Sequence, residues 1–271
     1  MEPFNFGRTF SRTFGLMRGS LASVGLLILV IQLINGAVSF LAQQQLVAAI
    51  TSAAGTAEPG AAPLAVFASP WYWATILASV LIGSLLYAGA TAGLLKVARG
   101  EQTSLGDCFQ AGTAKFLPVL GLTILWWLGV GLGWVLLLIP GLILITMWSA
   151  ALPALIGENL GVIESFGRSR ELTRGSRLSI FGLLLVSLII LYMPMILLGG
   201  AVAGGMMGGI MGGMASGMAS GTGFGATYIL ITVAYGWFAG MLLTSLLVSI
   251  YTETTLIKGG GSTAHLSDVF V

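Results

Sequence analysis

Residues 116–157 read FLPVLGLTILWWLGVGLGWVLLLIPGLILITMWSAALPALIG, an uninterrupted apolar stretch between two charged residues. As one straight helix, its 42 residues would be about 63 Å long, roughly twice the hydrocarbon thickness of a bilayer. The stretch must therefore fold back on itself. The expected turn is Pro140-Gly141, because proline lacks an amide donor and glycine tolerates a positive φ. We expect an antiparallel pair of spans over 116–138 and 142–157.

The composition of the whole chain is that of a protein in lipid. Only 7% of its 271 residues are charged and 56% are hydrophobic, whereas a soluble domain carries about 25% charged residues. The mean hydropathy is +0.99. Such a chain lacks the polar side chains that would cover a water-facing surface. We therefore expect one all-helical, polytopic membrane domain over residues 1–271.

Further charge-poor stretches are long enough to cross the membrane. Together with the folded pair they predict six transmembrane helices, at 21–41, 73–95, 116–138, 142–157, 178–198 and 227–250. All eleven basic residues then fall on the side that holds both termini. Because cytoplasmic segments carry the excess of Lys and Arg, this side is expected to be cytoplasmic, in a bacterial inner membrane. The periplasmic loops are then 42–72 and 199–226.

Two parts of the chain match each other at an offset of 156 residues. The aligned residues are Phe10, Arg12, Thr13, Leu16, Arg18, Gly19 and Ser20, which match Phe166, Arg168, Ser169, Leu172, Arg174, Gly175 and Ser176. A weaker third copy covers 105–116, where Ser104 and Asp107 have capping-box spacing. Each copy precedes a helical hairpin, so the sequence predicts three units, each a surface helix followed by two spans.

The three copies are amphipathic at helical spacing, and they predict cytoplasmic surface helices within 1–20, 100–115 and 161–177. The apolar face of the first copy consists of Phe6, Phe10, Phe14 and Met17. In the last copy, Arg168 lies at ion-pair spacing from Glu164 and Glu171. The alternative is that these segments are simply basic and aromatic, as juxtamembrane segments often are, without a repeat.

Residues 199–225 contain five of the eleven methionines and twelve of the forty glycines. Three interpretations stay open for this segment. It is a mobile glycine-rich loop, a close-packed helical extension with small-xxx-small spacing, or a Cu(I) site built from methionine thioethers.

Few residues in the chain suit catalysis or metal binding. There is one histidine, His265, and one cysteine, Cys108, and neither an HExxH motif nor a P-loop is present. Gln32 and Asn35 are expected to form an interhelical hydrogen bond. We expect no enzymatic activity, no catalytic residue, no cofactor and no resident metal.

Two carboxylates, Glu158 and Glu253, lie at the ends of predicted spans. We expect them to be interfacial and paired with Arg168 or Arg174, and a proton-binding or cation-binding role is the alternative.

The stretch 140–177 is similar to a known family. It contains Pro140-Gly141, Pro153, Glu158, Glu164, Arg168, Ser169, Leu172 and Gly175, in an order that resembles the signature of the glycerophosphoryl diester phosphodiesterase membrane-domain family. Tyr251 and 266–270 are similar to that family's ending, although the usual basic residue after the tyrosine is absent. The resemblance implies a bacterial multipass module without the catalytic barrel, in which these positions are structural.

These observations favour a non-enzymatic inner-membrane module that acts as a scaffold, lipid-interacting organiser or accessory subunit of a membrane assembly. The support is the basic collar, since each Lys or Arg near an anionic leaflet contributes about 1 kcal/mol. The alternative is a transporter of a lipid or small molecule, with a path between the repeats. The candidate structural or interaction residues are Glu158, Arg168, Ser169, Arg174, Gly175, Glu253, Arg12 and Arg18. Anionic inner-leaflet lipids are the expected partners, a protein partner or homo-oligomer stays open, and nucleic acid is not expected.

The predicted sidedness can be tested with single cysteines placed in a Cys108→Ala background. We expect Arg99→Cys and Arg170→Cys to resist a membrane-impermeant maleimide in intact cells and to react after permeabilisation. Glu58→Cys, in a predicted periplasmic loop, is the control and should react in intact cells. Labelling of either arginine position before permeabilisation would contradict the six-span topology.

Overall fold

The structure, a computed structural model, describes residues 4–38, 69–136, 138–212 and 221–258. All regular structure in these residues is helical, which confirms the expected all-α class. The helices are α1 Phe6–Gly19, α2 Leu21–Val38, α3 Pro70–Ala98, α4 Leu105–Ala114, α5 Phe116–Leu136, α6 Leu138–Met147, α7 Ala151–Gly157, α8 Val162–Thr173, α9 Arg177–Gly212 and α10 Gly221–Lys258.

Several of these helices are long and apolar enough to cross a membrane. Within the described residues, five candidate spans are Leu21–Val38, Pro70–Ala98, Phe116–Leu136, Ile139–Gly157 and Val233–Lys258. The pair α8 and α9 passes the same test together and is bent by 102°, which raises the number to as many as six. The chain therefore has the architecture of a multipass membrane protein.

The apolar stretch that requires a reversal contains a helical hairpin formed by α5 and α6. A Cβ added at Gly133 would lie 3.0 Å from the Cα of Gly141, so the two backbones approach closely beside the turn. The turn expected at Pro140-Gly141 is wrong, because both residues lie inside α6 and Gly141 has no positive φ. The second arm also differs from the expected single helix over 142–157. It begins at Leu138, with Pro140 in its first turn, and it breaks between Met147 and Ala151. Proline is tolerated in a first turn because its missing amide has no intrahelical partner there.

The spans form an inner and an outer set. The inner helices α3, α7 and α10 contact one another, and the shares of their spans that are buried are 44%, 44% and 56%. The outer helices α2 and α5 are buried over 39% and 22% of their spans. Most of the outer surface is apolar, as expected for helices that face lipid.

Each short surface helix packs on the inner helix that precedes it in the chain. Helix α4 packs on α3, and α8 packs on α7. Helix α1 has no preceding span among the described residues, and it packs instead on α10. Each surface helix thus contacts the inner helix of the preceding unit, and the first surface helix contacts the inner helix of the last unit. Three similar units arranged around one axis would pack in this order. The repeat itself stays a prediction.

Helices α1 and α8 start at positions separated by the same offset of 156 residues that relates their sequences. Their buried residues also correspond one to one. They are Thr9, Thr13, Leu16 and Met17 in α1, and Ser165, Ser169, Leu172 and Thr173 in α8. In α4 the buried residues are Cys108 and Gly112, at the same two helix positions as Thr9 and Thr13. Small side chains thus occupy the first two buried positions of all three surface helices, and larger apolar ones follow in α1 and α8.

The predicted apolar face of α1 packs on the bundle only in part, since Met17 is buried but its aromatic residues are not. Phe6 is exposed and stacks on Phe10, while Phe10 and Phe14 are only partly buried. In α4, Phe109 is also exposed. The physical reason is distance, because a helix can approach another backbone closely only through small side chains. The aromatic side chains lie toward the edge of the bundle.

The glycine-rich segment 199–226 is helical wherever the structure describes it. Helix α9 continues to Gly212 and α10 begins at Gly221. The helical-extension interpretation therefore holds for the backbone of 199–212 and 221–226, and the loop predicted over the whole segment is wrong there. Residues 213–220 and the methionine side chains that bear on a Cu(I) site lie outside the description. Most of the predicted loop 42–72 lies outside it as well.

Glycine decides how closely α3 and α4 approach. A Cβ at Gly112 would lie 2.6 Å from the carbonyl oxygen of Leu85, and a Cβ at Gly93 would lie 2.5 Å from the Sγ of Cys108. Real Cβ atoms do not tolerate such distances. Helix α4 can therefore sit against α3 only with glycine at these positions.

Substitution of Gly112 should separate these two helices. We expect Gly112→Ala to lower the free energy of unfolding by about 1–3 kcal/mol, because the clash is with backbone that cannot rotate away. Unfolding by SDS in mixed micelles, followed by tryptophan fluorescence, measures the change. Gly106→Ala is the matched control on the same helix, since its Cβ meets nothing closer than 3.7 Å, and it should be neutral or stabilising by up to about 1 kcal/mol. Equal effects of the two variants would contradict the close packing.

Candidate functional site

The charged residues predicted as candidates gather at the end of the bundle that carries α1, α4 and α8. Three ion pairs join these surface helices to the inner spans on which they pack: Arg8 and Arg12 with Glu253, Lys96 with Asp107, and Arg168 with Glu158. We call this region the charged end. It is the region of the structure in which polar chemistry is concentrated.

Glu253 is the most buried of these groups. Its side chain in α10 has no exposed surface. Arg8 donates to its Oε1 from Nε at 2.9 Å and from Nη2 at 2.6 Å, and Arg12 Nη1 lies 3.5 Å from its Oε2. The expected partners were Arg168 or Arg174, so the partner prediction for Glu253 is wrong. The spacing of residues along the sequence could not predict these ion pairs, because they join residues more than 240 positions apart.

Glu158 follows α7 and pairs with Arg168, as the sequence analysis expects. The Nε of Arg168 lies 3.1 Å and 2.9 Å from the two carboxylate oxygens. Tyr251 of α10 donates its hydroxyl to Oε1 of Glu158 at 3.0 Å. The hydrogen bond to Glu158 raises the pKa of the Arg168 guanidinium, so the guanidinium stays charged at physiological pH.

Of the two glutamates at ion-pair spacing from Arg168, Glu171 pairs with it and Glu164 does not. Glu171 lies 3.6 Å from Nη1 of Arg168, as its spacing predicts. Glu164 does not pair with Arg168, and it accepts a hydrogen bond from the amide of Gly161 instead. A carboxylate in the first turn is stabilised by the free amides and the dipole of the helix N-terminus. That local interaction outweighs the expected ion pair.

In the third ion pair the surface helix supplies the carboxylate and the inner span supplies the cation, which is the reverse of the other two. This pair was not predicted. Lys96 of α3 lies 3.6 Å from Asp107 of α4. Asp107 also closes the predicted capping box with Ser104. Hydrogen bonds from the backbone and side chain of Ser104, and then the charge of Lys96, lower the pKa of Asp107. The capping box was visible in the sequence, but its role as a tether to the preceding span was not.

Ser169 forms hydrogen bonds with two backbone groups at the break between α6 and α7. Its hydroxyl donates to the carbonyl oxygen of Met147 at 2.8 Å and accepts from the amide of Ala150 at 3.2 Å. Both backbone groups belong to the turn where the span is interrupted. An unpaired backbone group in a bilayer costs several kcal/mol. A serine on the surface helix therefore permits the broken span, and its structural role follows from these bonds.

The remaining candidates, Arg18, Arg174 and Gly175, lie where surface helices turn into spans. Arg18 and Arg174 occupy equivalent positions in the sequence match, and both are exposed. Neither forms an ion pair with any described residue. Gly175 adopts a φ of +94° at the bend between α8 and α9, a conformation that a side chain would strain.

Two cavities in the described part of the chain bear on the question of a path or a binding site. A cavity of about 20 Å³ lies beside Gln32 and Asn35, which is room for about one water molecule. Gln32 donates to the carbonyl oxygen of Gly236 at 3.0 Å, which is the expected kind of interhelical bond, and Asn35 Oδ1 is buried without a partner. A surface groove of about 560 Å³ runs between Gly19 and Leu105.

No group of three or more His, Cys, Asp or Glu residues that could hold a metal occurs among the described residues.

Comparison with protein-family models gives no match, and no curated protein or solved structure is significantly similar to the chain. The resemblance of 140–177 to the glycerophosphoryl diester phosphodiesterase membrane-domain family therefore stays a prediction.

The role of Ser169 can be separated from that of a neighbouring serine. We expect Ser169→Ala to lower the free energy of unfolding by about 1–3 kcal/mol, because it leaves the amide of Ala150 without a partner and removes the shorter of two hydrogen bonds to the carbonyl oxygen of Met147, to which Thr173 also donates at 3.4 Å. Ser165→Ala is the control, since Ser165 is equally buried but bonds only to Val162 within its own helix. SDS unfolding in mixed micelles compares the two. A loss for Ser165→Ala as large as that for Ser169→Ala would contradict the repair of the break.

Proposed function

We propose that this protein is a non-enzymatic multipass module of the bacterial inner membrane, which binds anionic inner-leaflet lipids through its charged end. Acting through these lipids, it serves as a scaffold or organiser for a membrane assembly. Both termini lie in the cytoplasm in this proposal. The distribution of all eleven basic residues on one side of the predicted topology supports that orientation.

The observation that carries the proposal is the surplus of exposed cations at the charged end. Its buried carboxylate is bound by Arg8 and Arg12, and Glu158 is bound by Arg168. Five other basic residues are exposed and form no ion pair with a described residue: Arg18, Arg99, Arg170, Arg174 and Lys258. Cations that keep no protein counterion at a membrane surface are available to anionic headgroups.

The exposed aromatic and aliphatic side chains of the surface helices support the same proposal. Phe6 of α1, Phe109 of α4 and Ile163 of α8 are 38%, 56% and 72% exposed. In α1 and α8 these side chains stand beside cations, which is typical of helices that lie in the membrane interface with their apolar groups among the acyl chains. Helix α4 has no Lys or Arg of its own. The three surface helices would hold the charged end at the depth of the headgroups.

The packing of the spans favours this proposal over the transporter alternative. A path between the repeats would need a polar cavity at the midplane that Gln32 or Asn35 faces. The space beside these residues is about 20 Å³, and Gln32 is held by the backbone of Gly236. The Trp237 indole also donates to the carbonyl oxygen of Gly25 at 2.7 Å, which fastens α10 to the first turn of α2.

The lipid preference can be measured by mass spectrometry of the phospholipids that remain bound after purification in a gentle detergent. We expect the wild-type chain to retain anionic lipids above their share in the membrane. A variant with Arg18→Gln, Arg170→Gln and Arg174→Gln should lose this enrichment, because it removes three of the five exposed cations that have no protein counterion among the described residues. The same three positions changed to lysine form the matched control, because they keep the charge.

Two results would contradict the proposal. One is a wild-type chain that retains anionic and zwitterionic lipids in their membrane proportions. The other is full enrichment in the glutamine variant. A substrate flux across vesicles reconstituted with the purified chain would favour the transporter instead.

A further inference from the structure

Cations from two parts of the chain, the α8–α9 junction and the end of α10, lie close to the bend between α8 and α9. Helix α8 ends at Thr173, α9 starts at Arg177, and the two axes are bent by 102°. Gly175 makes the turn with its positive φ, and a Cβ there would meet nothing within 4 Å. Open space therefore lies beside this turn, next to the exposed Arg174.

A third cation reaches the corner from the end of α10. The ammonium group of Lys258 donates to the backbone carbonyl oxygen of Glu171, one turn before the end of α8. Arg174 follows Glu171 by three positions, at the C-cap of the same helix, and Arg177 begins the next helix. Glu171 is the carboxylate beside these cations, and it also lies 3.6 Å from Nη1 of Arg168.

Arg177 adds a donor that lacks an acceptor. Its Nε is buried and has no hydrogen-bond partner among the described residues. A buried donor on a charged group is costly when unpaired, so such groups normally have a partner. Arg177 is also the first residue of α9, where the helix dipole and the free amides favour an anion.

We propose that this corner, defined by Arg174, Arg177 and Lys258, is a binding site for the phosphate group of an anionic ligand. Guanidinium groups match phosphate oxygens with paired hydrogen bonds, and the ammonium group adds a third contact. At a membrane surface the source is a phospholipid headgroup, and a soluble phosphate ester carries the same chemistry. The inference rests on the proposed lipid binding and assigns it to one discrete site.

The chain contains a matched corner that lacks one of these groups. Arg18, Gly19 and Ser20 at the junction of α1 and α2 align with Arg174, Gly175 and Ser176. At the next position Leu21 stands where the second corner has Arg177. A diffuse basic collar predicts equal contributions from both corners, whereas a discrete site predicts that only the α8–α9 corner matters.

The test is native mass spectrometry of the full chain in detergent, titrated with phosphatidylglycerol or phosphatidylcholine. We expect Arg177→Gln to weaken phosphatidylglycerol binding about tenfold or more, because it removes a charged hydrogen bond. Arg177→Lys should restore part of the affinity, and Arg18→Gln should change it by no more than about twofold. Unfolding of each variant by SDS shows whether the fold is kept.

A second arm identifies the source of the phosphate. Displacement of phosphatidylglycerol by glycerol 3-phosphate would support the site with a soluble phosphate ester as ligand, and no displacement would support it with the lipid as ligand. Equal losses for Arg18→Gln and Arg177→Gln would overturn the site while the lipid preference stands. Equal binding of the two phospholipids by the wild-type chain would overturn the site together with the proposed function.

Discussion

A carboxylate with no exposed surface must be neutralised, and at Glu253 this need joins the two ends of the chain. Removing a charge from water costs several kcal/mol, which is recovered only with close and well-oriented partners. Arg8 and Arg12 supply those partners from α1. Because α1 thereby packs on α10, the contacts between surface helices and inner spans form a cycle. The arrangement of the charged end depends on this buried interaction.

The same requirement explains the surface helices as a group. Each is held to an inner span by an ion pair and by small side chains that permit close approach, such as Thr13, Gly112 and Ser169. Ser169 also supplies the hydrogen bonds that a broken span loses. With the small and polar face turned inward, the aromatic side chains lie outward, and the unpaired arginines stay at the surface. The proposed lipid binding depends on this outer face, which presents aromatic side chains and arginines to the membrane surface.

Much of the fold could be predicted because its causes are local. The length of one apolar stretch predicts α5 and a reversal after it, although not the residues of the turn. The matching sequences predict surface helices within 1–20 and 161–177, where α1 and α8 lie. The pair of Glu158 with Arg168 spans only ten positions. By contrast, the apolar stripe of α1 did not indicate which face packs on protein, because hydrophobicity indicates what avoids water and, in lipid, does not decide which face meets protein. Exposed Phe6 and buried Thr9 are the clearest examples.

Sequence by itself determined the all-helical class and most of the helices long and apolar enough to cross a membrane, since hydrophobic length acts on each segment separately. Only the tertiary structure decided that Arg8 and Arg12 bind Glu253, that Lys96 binds Asp107, and that Arg177 is left with an unpaired donor. These outcomes depend on which helix ends meet in space. A buried charge is stable only beside a partner of opposite charge. The spacing of residues along the chain does not show which partner that is.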